Sequence, residues 1–140
     1  MAKCTNCGNK IGFFDERKIE GICADCKSEI QAIVLTTETY PEGLKITKRI
    51  EVVTAECAFG MNIFKDLFAG VRNVVGGRSE AVQKTLRDTR RTALYELKKE
   101  AYEVGANAVV GVDLDYVELA ATGSTMGLLV ASGTAVRIEE

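Results

Sequence analysis

Two pairs of cysteines crowd the start of this chain and constrain it more than any other feature. Cys4 and Cys7 form one Cys-x-x-Cys pair, Cys23 and Cys26 a second, and fifteen residues lie between the pairs. A two-residue spacer lets both thiols of a pair face one ion. The longer span folds back to bring the pairs together, which is the zinc-ribbon spacing for one tetrahedral metal. A segment of this size, residues 1–30, is too small to hold its shape by burial alone. A structural zinc on Cys4, Cys7, Cys23 and Cys26 is therefore the first reading, and a rubredoxin-like iron site, which shares such knuckles, stays open beside it. Gly8 follows the first pair and can turn backbone N–H groups toward the sulfurs, whereas Lys27 stands in the matching place after the second. Ile11, Phe13, Phe14, Ile19 and Ile22 supply a small apolar set around the metal.

The chain of 140 residues carries a formal net charge of −2, so nothing global points to nucleic acid or acidic lipid. The first residues lack the apolar run of a signal peptide, and no stretch is long enough to span a bilayer. A reducing cytoplasm is the expected compartment, where paired cysteines bind metal rather than form disulfides.

A second unit is expected over residues 31–140, and because no Pro- or Gly-rich linker precedes it, the short junction should restrict how the ribbon sits on it. Ile33 to Thr37 reads as a strand, Pro41-Glu42-Gly43 as a turn, and Leu44 to Phe59 as a second strand. Apolar alternation runs through Leu44, Ile46, Ile50 and Val52, then slips to Val53, Ala55, Cys57 and Phe59, which predicts a bulge near Val52-Val53. Ile63, Phe64, Leu67, Phe68 and Val71 recur at helical spacing and predict a short helix. Ser79, in Gly76-Gly77-Arg78-Ser79, is the expected N-cap of a long helix from Glu80 to about Val104, stopped by Gly105. Its buried stripe reads Val82, Leu86, Ala93, Leu97, Ala101 and Val104. A third strand from Ala108 puts Val110, Val112, Leu114 and Tyr116 on one face and Asp113 and Asp115 on the other. After a loop at Ala121 to Thr125, a fourth strand carries Leu128, Val130, Thr134, Val136 and Ile138 on alternate positions. The expected fold class is α+β, a small N-terminal zinc ribbon followed by a β-β-α-β-β domain with one long helix.

From the first strand onward the chain resembles the YbjQ-like family, which carries the label of a heavy-metal-binding domain. The matching stretches are Thr36-Thr37, Gly76-Gly77-Arg78, Arg90 with Ala93-Leu94, Gly105 through Val112, Asp115-Tyr116 and Gly133 through Val136, in that order. The resemblance implies a ring of identical subunits, a homopentamer, with no established enzymatic activity. Family members often carry an aromatic shortly after Gly-Gly-Arg, where this chain has Ala81-Val82. The main domain has no His and only Cys57 as a soft ligand, which reads as a small core residue.

Arg90 falls by angle on the edge of the buried stripe, where a guanidinium needs a partner; Glu38, Asp113 and Asp115 are the candidates. Lys84, Arg87, Arg91 and Lys98 share a face with Tyr95 and Tyr102, but intervening acids dilute the charge, which favours a solvated face or a contact through the tyrosines. Thr36, Thr37 and Ser124 have no His to activate them, so covalent catalysis has no visible machinery. Val109, Val117 and Leu119 on the third strand, with Leu129 and Ala131 on the fourth, form a second apolar set that a partner surface would cover. Three functions stay in view. The first is a non-enzymatic ring scaffold or metal-binding module, in which the ribbon could contact a protein partner. The second is a nucleic-acid adapter through the ribbon and the basic helix face, and the third an enzyme or small-molecule carrier with a subunit-boundary site near Arg78, Arg90 or Asp115.

Overall fold

The structure, a computed structural model, describes residues 3–11, 21–59, 77–121 and 124–139. Its elements run α1 (Ala24–Gln31), β1 (Val34–Leu35), β2 (Ile46–Phe59), α2 (Gly77–Glu103), β3 (Ala108–Ala121) and β4 (Ser124–Ile138). The strands form one sheet in the order β1-β3-β4-β2, with β1 parallel to β3 and the other neighbours antiparallel. From β1 onward the described elements follow the expected β-β-α-β-β order. The short helix expected at Ile63 to Val71, together with Phe13, Phe14 and Ile19, lies outside the described residues.

Helix α2 crosses one face of the sheet on Ala93, Leu97 and Ala101, all fully buried. Two alanines on that stripe let the helix axis come close to the strands, and Leu97 fills the space between. Thr89 shares the stripe, and its hydroxyl donates to the Thr85 carbonyl at 2.8 Å. Gly77, Arg78 and Ser79 are already helical, so Ser79 is not the N-cap. The other end behaves as expected. Gly105 takes φ +85°, its N–H reaches the Tyr102 carbonyl and the Ala106 N–H reaches Ala101, which closes the last turn in a Schellman motif.

Leu86 and Leu94, on the flank of the α2 stripe, are only half-buried. Arg90 lies at that level and is exposed, with no ion pair among the described residues. Helical angle places it beside the buried Thr89 and Ala93, and its long stem carries the guanidinium past that edge into water. No buried partner is needed.

The bulges also fall differently from the expectation. In β2 the register slips between Ile46 and Lys48 and again between Arg49 and Glu51, ahead of Val52-Val53. In β3 it slips between Val110 and Asp113, where Gly111 sits at φ +63°. One extra residue there exchanges the faces of the strand. Val109 and Val112 therefore face α2, whereas Val110 joins Ala108, Val136 and Ile138 in a second small core on the opposite face, covered by Leu44 and Ile46. Leu129 and Ala131 also lie under α2, fully buried, and are no partner surface. Among the described residues, the large apolar ones most exposed on the helix-free face are Val52, at 72%, with Val117 and Val34 at 40% and 39%; the side chain of Leu119 lies outside them.

Candidate metal centre

The sulfurs of Cys4, Cys7, Cys23 and Cys26 all lie within 4.8 Å of one another. Cys7 and Cys23 are 3.6 Å apart. Four thiolates at about 2.3 Å from one ion stand about 3.8 Å apart at the corners of a tetrahedron, so the cluster is close to that size already. The donor set fits a soft or borderline divalent metal. Cys57, half-buried on β2, is not part of the cluster.

The two pairs are positioned by different local structures. Cys4 and Cys7 sit in a turn that closes with the Gly8 N–H on the Cys4 carbonyl and the Cys4 N–H on the Asn9 carbonyl. Gly8 adopts φ +76°, a conformation glycine takes without strain, and its N–H goes to a carbonyl rather than to a sulfur. The second pair is not a second turn. Cys23 is the N-cap of α1 and Cys26 lies in its first turn, so both sulfurs gather at the positive end of a helix. That placement was not legible from the spacing, which suits a turn and a helix start equally.

Donors converge on the sulfurs. The Cys23 N–H donates to Cys4 Sγ at 3.3 Å, and Asn6 Nδ2 reaches Cys26 Sγ at 3.7 Å. The backbone N–H groups of Cys23 and then Cys7 hold the Cys4 thiol down to about 6, against the opposing effect of burial. Burial pushes the Cys26 thiol up to about 12, with the neighbouring thiols adding to it. Four anions packed this closely repel one another by about 4 kcal/mol per pair at an effective dielectric of 20, and a bound cation reverses that sign.

A small core surrounds the centre, in which Cys4, Cys23 and Cys26 pack with Ile11, Ile22 and Ile30. Tyr95 and Tyr102 of α2 close it from the main domain. The Tyr102 hydroxyl donates to the Glu29 carboxylate of α1, which with burial raises its pKa. Lys98 Nζ donates to the Gln31 carbonyl at 3.0 Å, and Lys27 Nζ stands 5.8 Å over the Tyr95 ring. The aromatic residues of the basic helix face are thus spent on this chain's own metal segment. Their alignment on one face of α2 was readable; the surface they cover was not.

Elsewhere, Asp113 and Asp115 are exposed on the helix-free face, as alternation implied. Burial, followed by the charge of Glu96, raises the Cys57 pKa, in keeping with a core residue. A cleft of about 360 Å³ opens between β1 and α2, lined by Leu35, Thr36, Thr37, Leu94, Val112, Asp113 and Leu114. The side chain of Arg78 lies outside the described residues. Among the described residues no helix is long and apolar enough to cross a membrane.

Residues 32–139 match the family model YbjQ, whose description reads putative heavy-metal-binding. The fold is also similar to a crystal structure of a protein of unknown function from Pediococcus pentosaceus, assigned there to the DUF74 family. That match has a TM-score of 0.55 and 18% identity, and covers 76% of this chain and 98% of the other. The four cysteines all precede the part matched by the family model.

Proposed function

The chain belongs to the YbjQ-like family over residues 32–139, and from that premise we propose that it is a non-catalytic, oligomeric metal-binding module. Cys4, Cys7, Cys23 and Cys26 hold one zinc ion per chain in a segment spanning residues 1–30, and residues 31–140 form the oligomerisation domain. The proximity of the four sulfurs, all within 4.8 Å, carries this reading. Bound zinc neutralises the crowded thiolates and fixes the turn against the start of α1, so its contribution is structural. A reducing compartment, the cytoplasm, suits four free thiols.

The main domain assembles as a ring, and five is the number implied by the resemblance. The helix-free face supports an assembly of this kind, since Val34, Val52 and Val117 are wet in the isolated subunit. A ring presents several metal segments together, so weak contacts to a protein partner gain strength by multivalency.

Metal analysis of single Cys→Ser variants tests the ligand set. Replacing Cys4, Cys7, Cys23 or Cys26 lowers metal content, and Cys57→Ser leaves it unchanged. Loss of metal in Cys57→Ser with retention in Cys23→Ser refutes the assignment.

A further inference from the structure

We propose that Tyr102 couples the metal centre to the β1 edge of the sheet, so that metal occupancy sets how firmly β1 and the wall of the neighbouring cleft are held. This inference rests on the four thiols holding a metal.

Tyr102 stands between two cores. Its ring packs against the cluster around Cys26 and Ile30 and also against the main core under α2. Its hydroxyl ties α2 to Glu29 of α1. Lys98 adds a second tie at the C-terminal end of α1, through the Gln31 carbonyl.

Helix α1 has eight residues, too few to persist in water by its own hydrogen bonds. Cys23 and Cys26 hold one end and α2 holds one flank. Beyond its last turn, Ile30 is buried in the metal-side core and Ile33 in the main core, only three positions apart. The chain then enters β1, which has two paired residues. Few bonds keep that edge in place: Val34 N–H to Asn107 O at 3.3 Å, Thr36 N–H to Val109 O at 3.0 Å, Val112 N–H to Thr36 O at 3.0 Å, and Gly111 N–H to Glu38 O at 2.9 Å. An edge this short depends on its flanking anchors. When the metal leaves, Cys23 and Cys26 release the start of α1, Tyr102 loses the surface it packs on, and β1 loses its anchor. Leu35 and Thr36 form one wall of the cleft against Leu94, so that wall loosens too. Helix α2 and strands β2, β3 and β4 keep their own core.

Hydrogen exchange on the full chain tests this, loaded with zinc and after chelation with EDTA, with metal content measured on the same samples. Chelation should speed exchange across residues 33–38 by about tenfold or more while the amides of 53–55 and 129–131 keep their rates. Tyr102→Phe, which keeps the ring and deletes the hydroxyl, should still bind one zinc yet show faster exchange in 33–38 while loaded. Metal loss with unchanged exchange in 33–38, equal acceleration throughout the sheet, or wild-type rates in Tyr102→Phe would each overturn the coupling. A wild-type chain that binds no zinc refutes the metal reading itself, which keeps the two failures apart.

Discussion

Gly133 offers a sharp test of how α2 and the sheet fit together. It lies opposite the β3 bulge, directly beneath Val109 and Val112. A Cβ at this position would stand 2.5 Å from Val109 Cγ1, 3.2 Å from the Val110 carbonyl oxygen and 3.5 Å from Val112 Cγ2. Val109 is fully buried and β-branched, so it has no free rotamer to move into. Gly133→Ala should therefore destabilise the domain by about 1–3 kcal/mol, the usual cost of overpacking a filled core. For a domain of about 100 residues this lowers the melting midpoint by roughly 4–8 °C per kcal/mol. Val109→Ala alone should cost about 2 kcal/mol from lost burial and the cavity left behind. The double variant decides the matter. If Val109 is the obstacle, removing its methyls makes room for the new Cβ, and the two costs should fall short of additivity by about 1 kcal/mol. Urea unfolding followed by circular dichroism, at one protein concentration with zinc present, supplies all four stabilities. Strict additivity, or a Gly133→Ala variant as stable as wild type, refutes the proposed contact.

Asn107 clamps the end of β4, accepting from the Ile138 N–H at 2.7 Å and donating to the Ile138 carbonyl at 2.9 Å. Asn107→Ala should cost about 2 kcal/mol in the same urea assay, one for each bond lost. Slight desolvation, followed by the charges of Glu103 and Glu96, raises the carboxyl pKa of Glu100, an exposed side chain, so ionising it opposes folding only weakly. Glu100→Gln should raise the melting midpoint at pH 7, and the gain should shrink as pH falls through the carboxylate range, where the wild-type group is neutral as well. Val52→Glu puts a charge on a residue 72% exposed in the subunit. Light scattering should show a smaller mass than wild type while the subunit keeps its fold, whereas an unchanged mass would remove Val52 from the proposed interface.

Local rules read much of this fold correctly. Alternation found the long strands, the i+3 and i+4 pattern found Ala93, Leu97 and Ala101, and glycine chemistry found the stop at Gly105. The misses share a cause. Val110 and Val109 changed faces because Gly111 adds one residue to β3, and a glycine in a strand does not announce whether it bulges. Arg90 reads as needing a partner because helical angle gives the edge of the stripe but not how far a long side chain reaches past it into water. The cluster of four thiols was legible as four residues. Its setting was not, since Asn6 reaches Cys26 and Tyr102 packs on the cluster through tertiary contacts that leave no spacing in the sequence.

The order of the elements along the chain has a consequence for biosynthesis. All four cysteines lie within the first 26 residues, whereas Tyr102 and the β3 partner of β1 come more than 70 residues later. At ribosomal rates of about 5–20 residues per second, the nascent chain spends several seconds with its thiols made and its docking surface not yet synthesised. On the proposed reading, metal capture in that interval would store the N-terminal segment in a compact form while the rest emerges. The parallel pairing of β1 with β3 then has to be among the last steps, because its second strand follows α2. A chain that acquired the proposed metal late would have to dock an unformed segment onto a finished sheet, so metal supply during synthesis should then govern the yield of correctly closed subunits.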